Sequence, residues 1–183
     1  MKPTDWTHEM LCGIACRWLA GFDHRHLVAL FREPHYLIGG EQPDAFAIWS
    51  PYGVSHLVEC KVGRGDFIAD RKKPFRRNPE YGIGAIRTYL TAPGVVRDAG
   101  EIPENWNWYE AVDNDTIMPR LVCDPQEAPW DGHLFKERNI KSEWSLYWLY
   151  QRSRWWKKDL ALYAEPVKVQ WEVTDEEDKE VSR

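Results

Sequence analysis

The sequence predicts an α/β fold, a mixed central sheet flanked by helices with an aromatic helix toward the C-terminus, on three observations. An apolar stripe near the start has helical spacing. Two strand-like runs joined by a proline- and glycine-containing turn read as a hairpin. A basic helical segment then separates that hairpin from two further strand-like runs. Helix, strand, strand, helix, strand, strand is the pattern of a sheet covered by helices in a three-layer core. The division expected is a core over residues 1–115, a loop and Trp-rich helical extension packed on it over 116–165, and an acidic tail over 166–183.

The first helix is expected over residues 6–20, capped by Thr4 or Asp5, with Met10, Leu11, Ile14, Ala15, Trp18 and Leu19 as its apolar stripe. Glu9 falls beside that stripe, where a carboxylate can reach the edge of a core. His24 and His26 form a His-x-His pair with no third ligand nearby and read as linker residues. Short apolar runs follow at 27–31 and 36–38, then a Gly39-Gly40 turn and the loop carboxylate Glu41.

The hairpin carries the chemistry. Ala45 to Trp49 and His56 to Val58 are strand formers, and Ser50-Pro51-Tyr52-Gly53 suits a tight turn. A four-residue loop sets Trp49 opposite Val54, and counting back sets Asp44 opposite Glu59. Opposite residues of an antiparallel pair project to one face, with Cβ atoms roughly 4.5–5.5 Å apart. Lys61, two residues on, shares that face. A slip of one residue would break the set. Two carboxylates at such spacing hold a hard divalent cation, or else form an exposed Asp-Glu-Lys surface cluster with an ordinary salt bridge. A nearby ammonium can orient a water and offset charge on a phosphate.

Pro43-Asp44, fourteen residues, then Glu59-Cys60-Lys61 resembles the signature of the PD-(D/E)XK nuclease superfamily. The chain is most similar to its small phage and bacterial DNA-repair-type branch, in which the lysine is followed by a basic helix with an Asp-Phe pair, here Asp66-Phe67, and then an aromatic strand. The resemblance spans residues 5–113. It implies a restriction-endonuclease-like core and a deoxyribonuclease, endo- or exonucleolytic, that hydrolyses phosphodiester bonds with Mg²⁺ or, as a substitute, Mn²⁺. It also implies site roles: Asp44 and Glu59 as metal ligands, with the Cys60 carbonyl and Glu9 as further ones, and Lys61 as the residue that places the water. Alanine at Asp44, Glu59 or Lys61 is expected to abolish cleavage and leave the fold intact.

From Lys61 to Arg77 the chain carries seven basic residues against two acidic, Asp66 and Asp70, in a protein whose net charge is −5. Arg64, Arg71, Lys72, Lys73, Arg76 and Arg77 are therefore candidate DNA-backbone contacts, joined by Arg87 on the following strand. The basic helix is expected over 66–73, ended by Pro74, and Asp66 and Asp70 read as intrahelical charge partners rather than ligands. Tyr81-Gly82-Ile83-Gly84 reads as a turn, because no strand precedes it and no third glycine follows. Strands are expected over 85–91 and 108–112, loop over 118–139, and a helix over 142–164. Trp144, Tyr147, Trp148, Gln151 and Trp155 recur at helical spacing, the pattern of a buried face, with a base-stacking stripe as the alternative. Arg152, Arg154, Lys157 and Lys158 would extend the basic surface, and the acidic tail from Glu172 is expected to fray.

With 183 residues, 43% hydrophobic and 29% charged, the chain can bury a sizeable core. No apolar run approaches a membrane span, no signal segment is evident, and four cysteines lack a CxxC pairing, so a reducing cytoplasm is the expected compartment. DNA is the expected partner, with no membrane, and cutting both strands would call for a homodimer. Two other readings stay open. One is a catalytically silent nuclease-fold module that binds DNA, and the other is a protein–protein interaction factor using the Trp-rich helix and the acidic tail.

Overall fold

The computed structural model describes residues 5–22, 25–34, 41–50, 53–112, 120–123 and 134–155, without the side chains of 22, 120–123 and 152–155. The chain runs α1 (His8–Phe22), β1 (Leu27–Arg32), β2 (Ala45–Trp49), β3 (Val54–Lys61), α2 (Arg64–Asp70), α3 (Pro74–Arg77), β4 (Ile86–Thr91), β5 (Asn107–Glu110), β6 (Arg120–Cys123) and α4 (Ile140–Trp155). The six strands among the described residues form one mixed sheet in sequence order. The β1–β2, β2–β3 and β5–β6 pairs are antiparallel, and β3–β4 and β4–β5 are parallel. The molecule is α/β, as expected.

Parallel neighbours cannot be joined by a tight turn, so the chain must cross over between β3 and β4. The basic segment makes that crossover. Gly63 precedes α2, and Pro74 opens α3 instead of merely ending the helix before it, since a proline at the first helical position lacks only an N–H that would go unpaired there. The β2–β3 hairpin closes as the sequence required, with Gly53 at φ +60° and Trp49 paired with Val54.

Helix α1 lies on one sheet face. Leu11, Ile14, Ala15, Trp18 and Leu19 join Ala45, Ala47, Val58, Cys60 and Leu90 in one apolar cluster. Full burial of a leucine or isoleucine of this kind contributes about 1.5–3 kcal/mol. Its cap is Thr7, whose Oγ1 accepts the Met10 N–H at 3.2 Å, rather than Asp5, and Thr4 lies outside the described residues. The other face buries Phe46, Leu57, Phe67, Tyr89, Trp106 and Leu146.

Two expectations are corrected. Strand β6 lies within the stretch expected to be loop, and it adds an antiparallel edge that four short residues did not announce. In α4 the tryptophan stripe faces outward, with Trp144 55% and Trp148 61% exposed. The buried side is instead Glu143 and Leu146, with Tyr150 packed 5.6 Å from the Phe31 ring. Glu143 explains the inversion. Its Oε1 accepts from Ser55 Oγ, the Gly84 N–H and Arg138 Nε, which docks this side of the helix on the sheet. The Gly82–Gly84 turn sits beneath it. Gly84 has φ +89°, and a Cβ there would lie 2.7 Å from that of Leu57. His24, the run at 36–38, the side chains of Arg152, Arg154 and Trp155, Lys157, Lys158 and the acidic tail lie outside the described residues.

Candidate active site

Hairpin register builds the site. Ala45 pairs with Val58, so Asp44, just ahead of β2, comes opposite Glu59. Lys61 Nζ lies 2.9 Å from Glu59 Oε2 and 3.7 Å from Asp44 Oδ2. The Cys60 N–H donates to Asp44 Oδ2 at 2.6 Å, locking that carboxylate against β3. The structure therefore gathers Asp44, Glu59 and Lys61. It does so in a buried setting, not as an exposed surface cluster: the Glu59 side chain is 1%, Lys61 5% and Asp44 16% exposed.

The group is larger than the motif. Asp70 Oδ1 lies 3.6 Å from Lys61 Nζ and 2.6 Å from Lys73 Nζ, while Asp66 Oδ2 approaches Lys61 at 3.9 Å. Tyr89 donates to Asp70 Oδ2 at 2.6 Å. Arg76 Nε donates to the same oxygen at 2.7 Å and to Tyr89 Oη at 3.1 Å, its Nη1 pairs with Glu41, and its guanidinium lies 4.5 Å from the Trp106 ring centre. Asp70 was expected to serve only its own helix, yet it projects onto the sheet beside Phe67, three residues earlier. That 3-residue spacing of one apolar and one acidic residue was the available signal. Glu41, expected in a loop, is buried and also accepts the Ile83 N–H.

Of the candidate DNA contacts, two are not surface residues. The Arg76 side chain is 1% exposed inside the charged network. Arg87 is fully buried, donates to the Gly84 and Pro79 carbonyls, and packs 4.2 Å from the Phe135 ring centre. Its alternate position on a central strand, between β3 and β5, put it into the molecule rather than toward a substrate. Arg64 is fastened to Glu101 and to the Val95 carbonyl. Lys73 leans on Asp70 at the rim, and Arg71, Lys72 and Arg77 are exposed.

Glu9 is not brought to the site. It is 85% exposed, with Oε1 3.7 Å from Arg32. The residue of α1 that reaches Asp44 is its neighbour His8, whose Nε2 lies 3.4 Å from Asp44 Oδ1. One position on a helix is a rotation of about 100°, enough to turn Glu9 to solvent and His8 inward. Cys60 turns its side chain to the α1 face, so only its backbone belongs to the site.

Burial sets the electrostatics. It pushes the Glu59 carboxyl up to about 8, against the pull of Lys61 and with the push of Asp44 and Asp70. Burial acts against the Lys61 ammonium, but Glu59, Asp44 and Asp70 together hold it charged, above the ordinary lysine range. Burial would also raise Asp44, yet His8, Lys61 and the Cys60 N–H outweigh it and hold that carboxyl low. The hydrogen bond to Asp44 raises His8 to about 9. Asp44 is thus the standing anion, Lys61 the standing cation, and Glu59 the group whose proton sits near neutrality.

As metal ligands the carboxylates of Asp44 and Glu59 are suitable hard donors. Glu59 Oε1 is buried and makes no hydrogen bond among the described residues; Arg76 Nη2 lies 3.3 Å away without the geometry for one. The cation that faces this oxygen is the Arg76 guanidinium, its ion-pair partner.

No family model and no curated protein matches the chain. Among solved structures, a Silicibacter pomeroyi protein of unknown function is similar at a TM-score of 0.45 and 18% identity, over 84% of this chain and 94% of that one. Among the described residues, no helix is long and apolar enough to cross a membrane.

Proposed function

We propose that the chain is a metal-dependent deoxyribonuclease built on a restriction-endonuclease-like core. The observation that carries this reading is the convergence of Asp44, Glu59 and Lys61 on one face of the β2–β3 hairpin, with Lys61 Nζ within 3.7 Å of both carboxylates. The order of helix, antiparallel hairpin, basic crossover and parallel strand accords with it. Asp44 and Glu59 would hold Mg²⁺, or Mn²⁺ in its place. Bound there, such an ion would supply an activated water and offset charge on the phosphate. Asp44, held anionic by its neighbours, provides the fixed negative charge. Lys61 keeps its ammonium beside the scissile phosphate and orients the water. Arg71, Lys72 and Arg77, with Lys73 at the rim, grip the DNA backbone, a role that positions the substrate without reading its sequence. Work in phage or bacterial DNA processing, in a cytoplasmic setting, is the context this chemistry suits.

A second reading, a silent DNA-binding module, has one observation in its favour: Lys61, its side chain 5% exposed, is already engaged by its carboxylate neighbours. Labelled single-stranded, duplex, flap and junction DNA, incubated with Mg²⁺ or Mn²⁺ and with EDTA controls, separates the two. Cleavage that needs metal and disappears in Asp44→Asn supports the nuclease. Salt-sensitive binding without cleavage would replace it with the module.

A further inference from the structure

Behind Asp44, on the α1 side, lies a second group of donors that the nuclease reading leaves unused. His8 and Cys12 are one helical turn apart on α1, so their side chains stand on the same face. Glu33 follows β1 with φ +44°, a left-handed conformation uncommon for a residue with a Cβ, and its N–H donates to the Asp44 carbonyl at 3.0 Å. That bond ties the Glu33 turn to the start of β2.

The distances radiate from one atom. His8 Nε2 lies 3.3 Å from Cys12 Sγ, 3.4 Å from Glu33 Oε1 and 3.4 Å from Asp44 Oδ1. Donor atoms of His8, Cys12 and Glu33 all fall within 4.8 Å of one another. A tetrahedral site with metal–ligand bonds of the zinc type has donor atoms roughly 3.3–3.7 Å apart. Three edges meeting at His8 thus already have tetrahedral length. The donor types matter as much as the spacing. One thiolate, one imidazole and carboxylate oxygens form a borderline-soft set, unlike the all-oxygen set that Mg²⁺ prefers. Cys12 forms the buried floor, and His8 and Glu33, each about two-fifths exposed, form a rim through which an ion can enter.

We propose that His8, Cys12 and Glu33, with Asp44 Oδ1 beside His8, form a binding site for a zinc-class divalent transition metal. The site is distinct from the Asp44–Glu59 pair. The two oxygens of Asp44 divide between them, Oδ1 toward His8 and Oδ2 toward Cys60 and Lys61. A metal here would fix the Asp44 carboxylate from behind, and binding would release the Cys12 thiol proton and the His8 imidazolium proton. The site does not depend on the nuclease reading.

Cobalt tests it directly, because a thiolate–Co²⁺ bond gives a charge-transfer band and tetrahedral Co²⁺ gives intense visible bands. Full-length protein stripped with EDTA and dialysed is titrated with Co²⁺, with circular dichroism confirming the fold of every sample. The expected result is that both signatures saturate together at one thiolate-bound ion per chain, with bleaching by Zn²⁺ and indifference to excess Mg²⁺. Cys12→Ser should lose the charge-transfer band. His8→Ala, a change at the two-fifths-exposed rim, should lose the tetrahedral visible bands even if Cys12→Ser does not fold. Cys60→Ala and Glu59→Gln should keep the full spectrum. Folded wild type without the bands, bands that survive loss of both His8 and Cys12, or bands abolished by Glu59→Gln would each overturn the assignment. Since no readout involves DNA, an inactive nuclease and an absent metal site are separate outcomes.

Discussion

Strand β3 is buried on both faces, but the two faces are filled by opposite means. Toward α1 it presents His56, Val58 and Cys60, packed in an apolar cluster with Trp18 and Leu90. Toward α2 it presents Leu57, Glu59 and Lys61, and the last two are buried among Asp70, Arg76 and Tyr89. Burying charge is costly, and well-packed apolar residues in the same volume commonly give equal or better stability. A strand selected for stability alone would be apolar on both sides. On the proposed nuclease reading, the difference between its faces marks where the molecule retains chemistry at the expense of stability.

The largest effect should come from breaking the charged face one partner at a time. Arg76→Ala and Lys61→Ala each take one cation from the buried carboxylates and should lower unfolding free energy by about 3–5 kcal/mol, measurable by urea denaturation. This revises the expectation that Lys61→Ala would leave the fold intact, since Lys61 neutralises Glu59 and Asp70 at once. Loss near zero would mean that the charges are solvated rather than paired. On the apolar face, Leu90→Ala should cost ~2–5 kcal/mol by cavity formation alone, with no change in salt dependence.

The apolar face contains one titratable probe. His56 sits against Trp18 and 2.7 Å from Thr88 Oγ1, and burial lowers its pKa to about 3. It stays neutral when folded but takes up a proton near 6.5 when unfolded, so the unfolded state binds more protons between those values. Its stabilising contribution is complete above pH 6.5 and is lost as pH falls toward 3, at up to about 1.4 kcal/mol per pH unit. Comparing stability against pH for wild type and His56→Gln should show a shallower acid slope in the variant; identical slopes would place the proton elsewhere. The smallest effect belongs to α4. Trp148→Ala, at an exposed position, should change stability by no more than about 0.5 kcal/mol, while Leu146→Ala costs ~2–5 kcal/mol.

These contrasts show which parts of the molecule were legible in advance. The hairpin register was, because strand periodicity is two and one fixed turn determines every pair after it, down to Asp44 opposite Glu59. The apolar stripe of α1 was legible for the same kind of reason. Helix α4 was not: aromatic spacing announces a stripe but not which side meets the sheet, and that choice rested on Glu143 finding Ser55 and the Gly84 N–H far away in sequence. The basic segment misled in a related way. A count of positive charges cannot tell Arg76, drawn inward by Glu41 and Asp70, from Arg77, its exposed neighbour. His8 escaped notice because its partners, Glu33 and Asp44, come from two separate loops.

The central claim is that the charged face of β3 is kept for catalysis, and Glu59→Gln tests it most directly. The amide keeps the volume of the side chain and can still accept from Lys61, but it removes the anion. Melting temperature and Mg²⁺-dependent DNA cleavage should be measured on the same preparation. The expected result is a folded variant, no more heat-stable than wild type because Lys61 and Arg76 lose a carboxylate partner, that no longer cuts DNA. A folded Glu59→Gln protein that cuts as wild type does would contradict it.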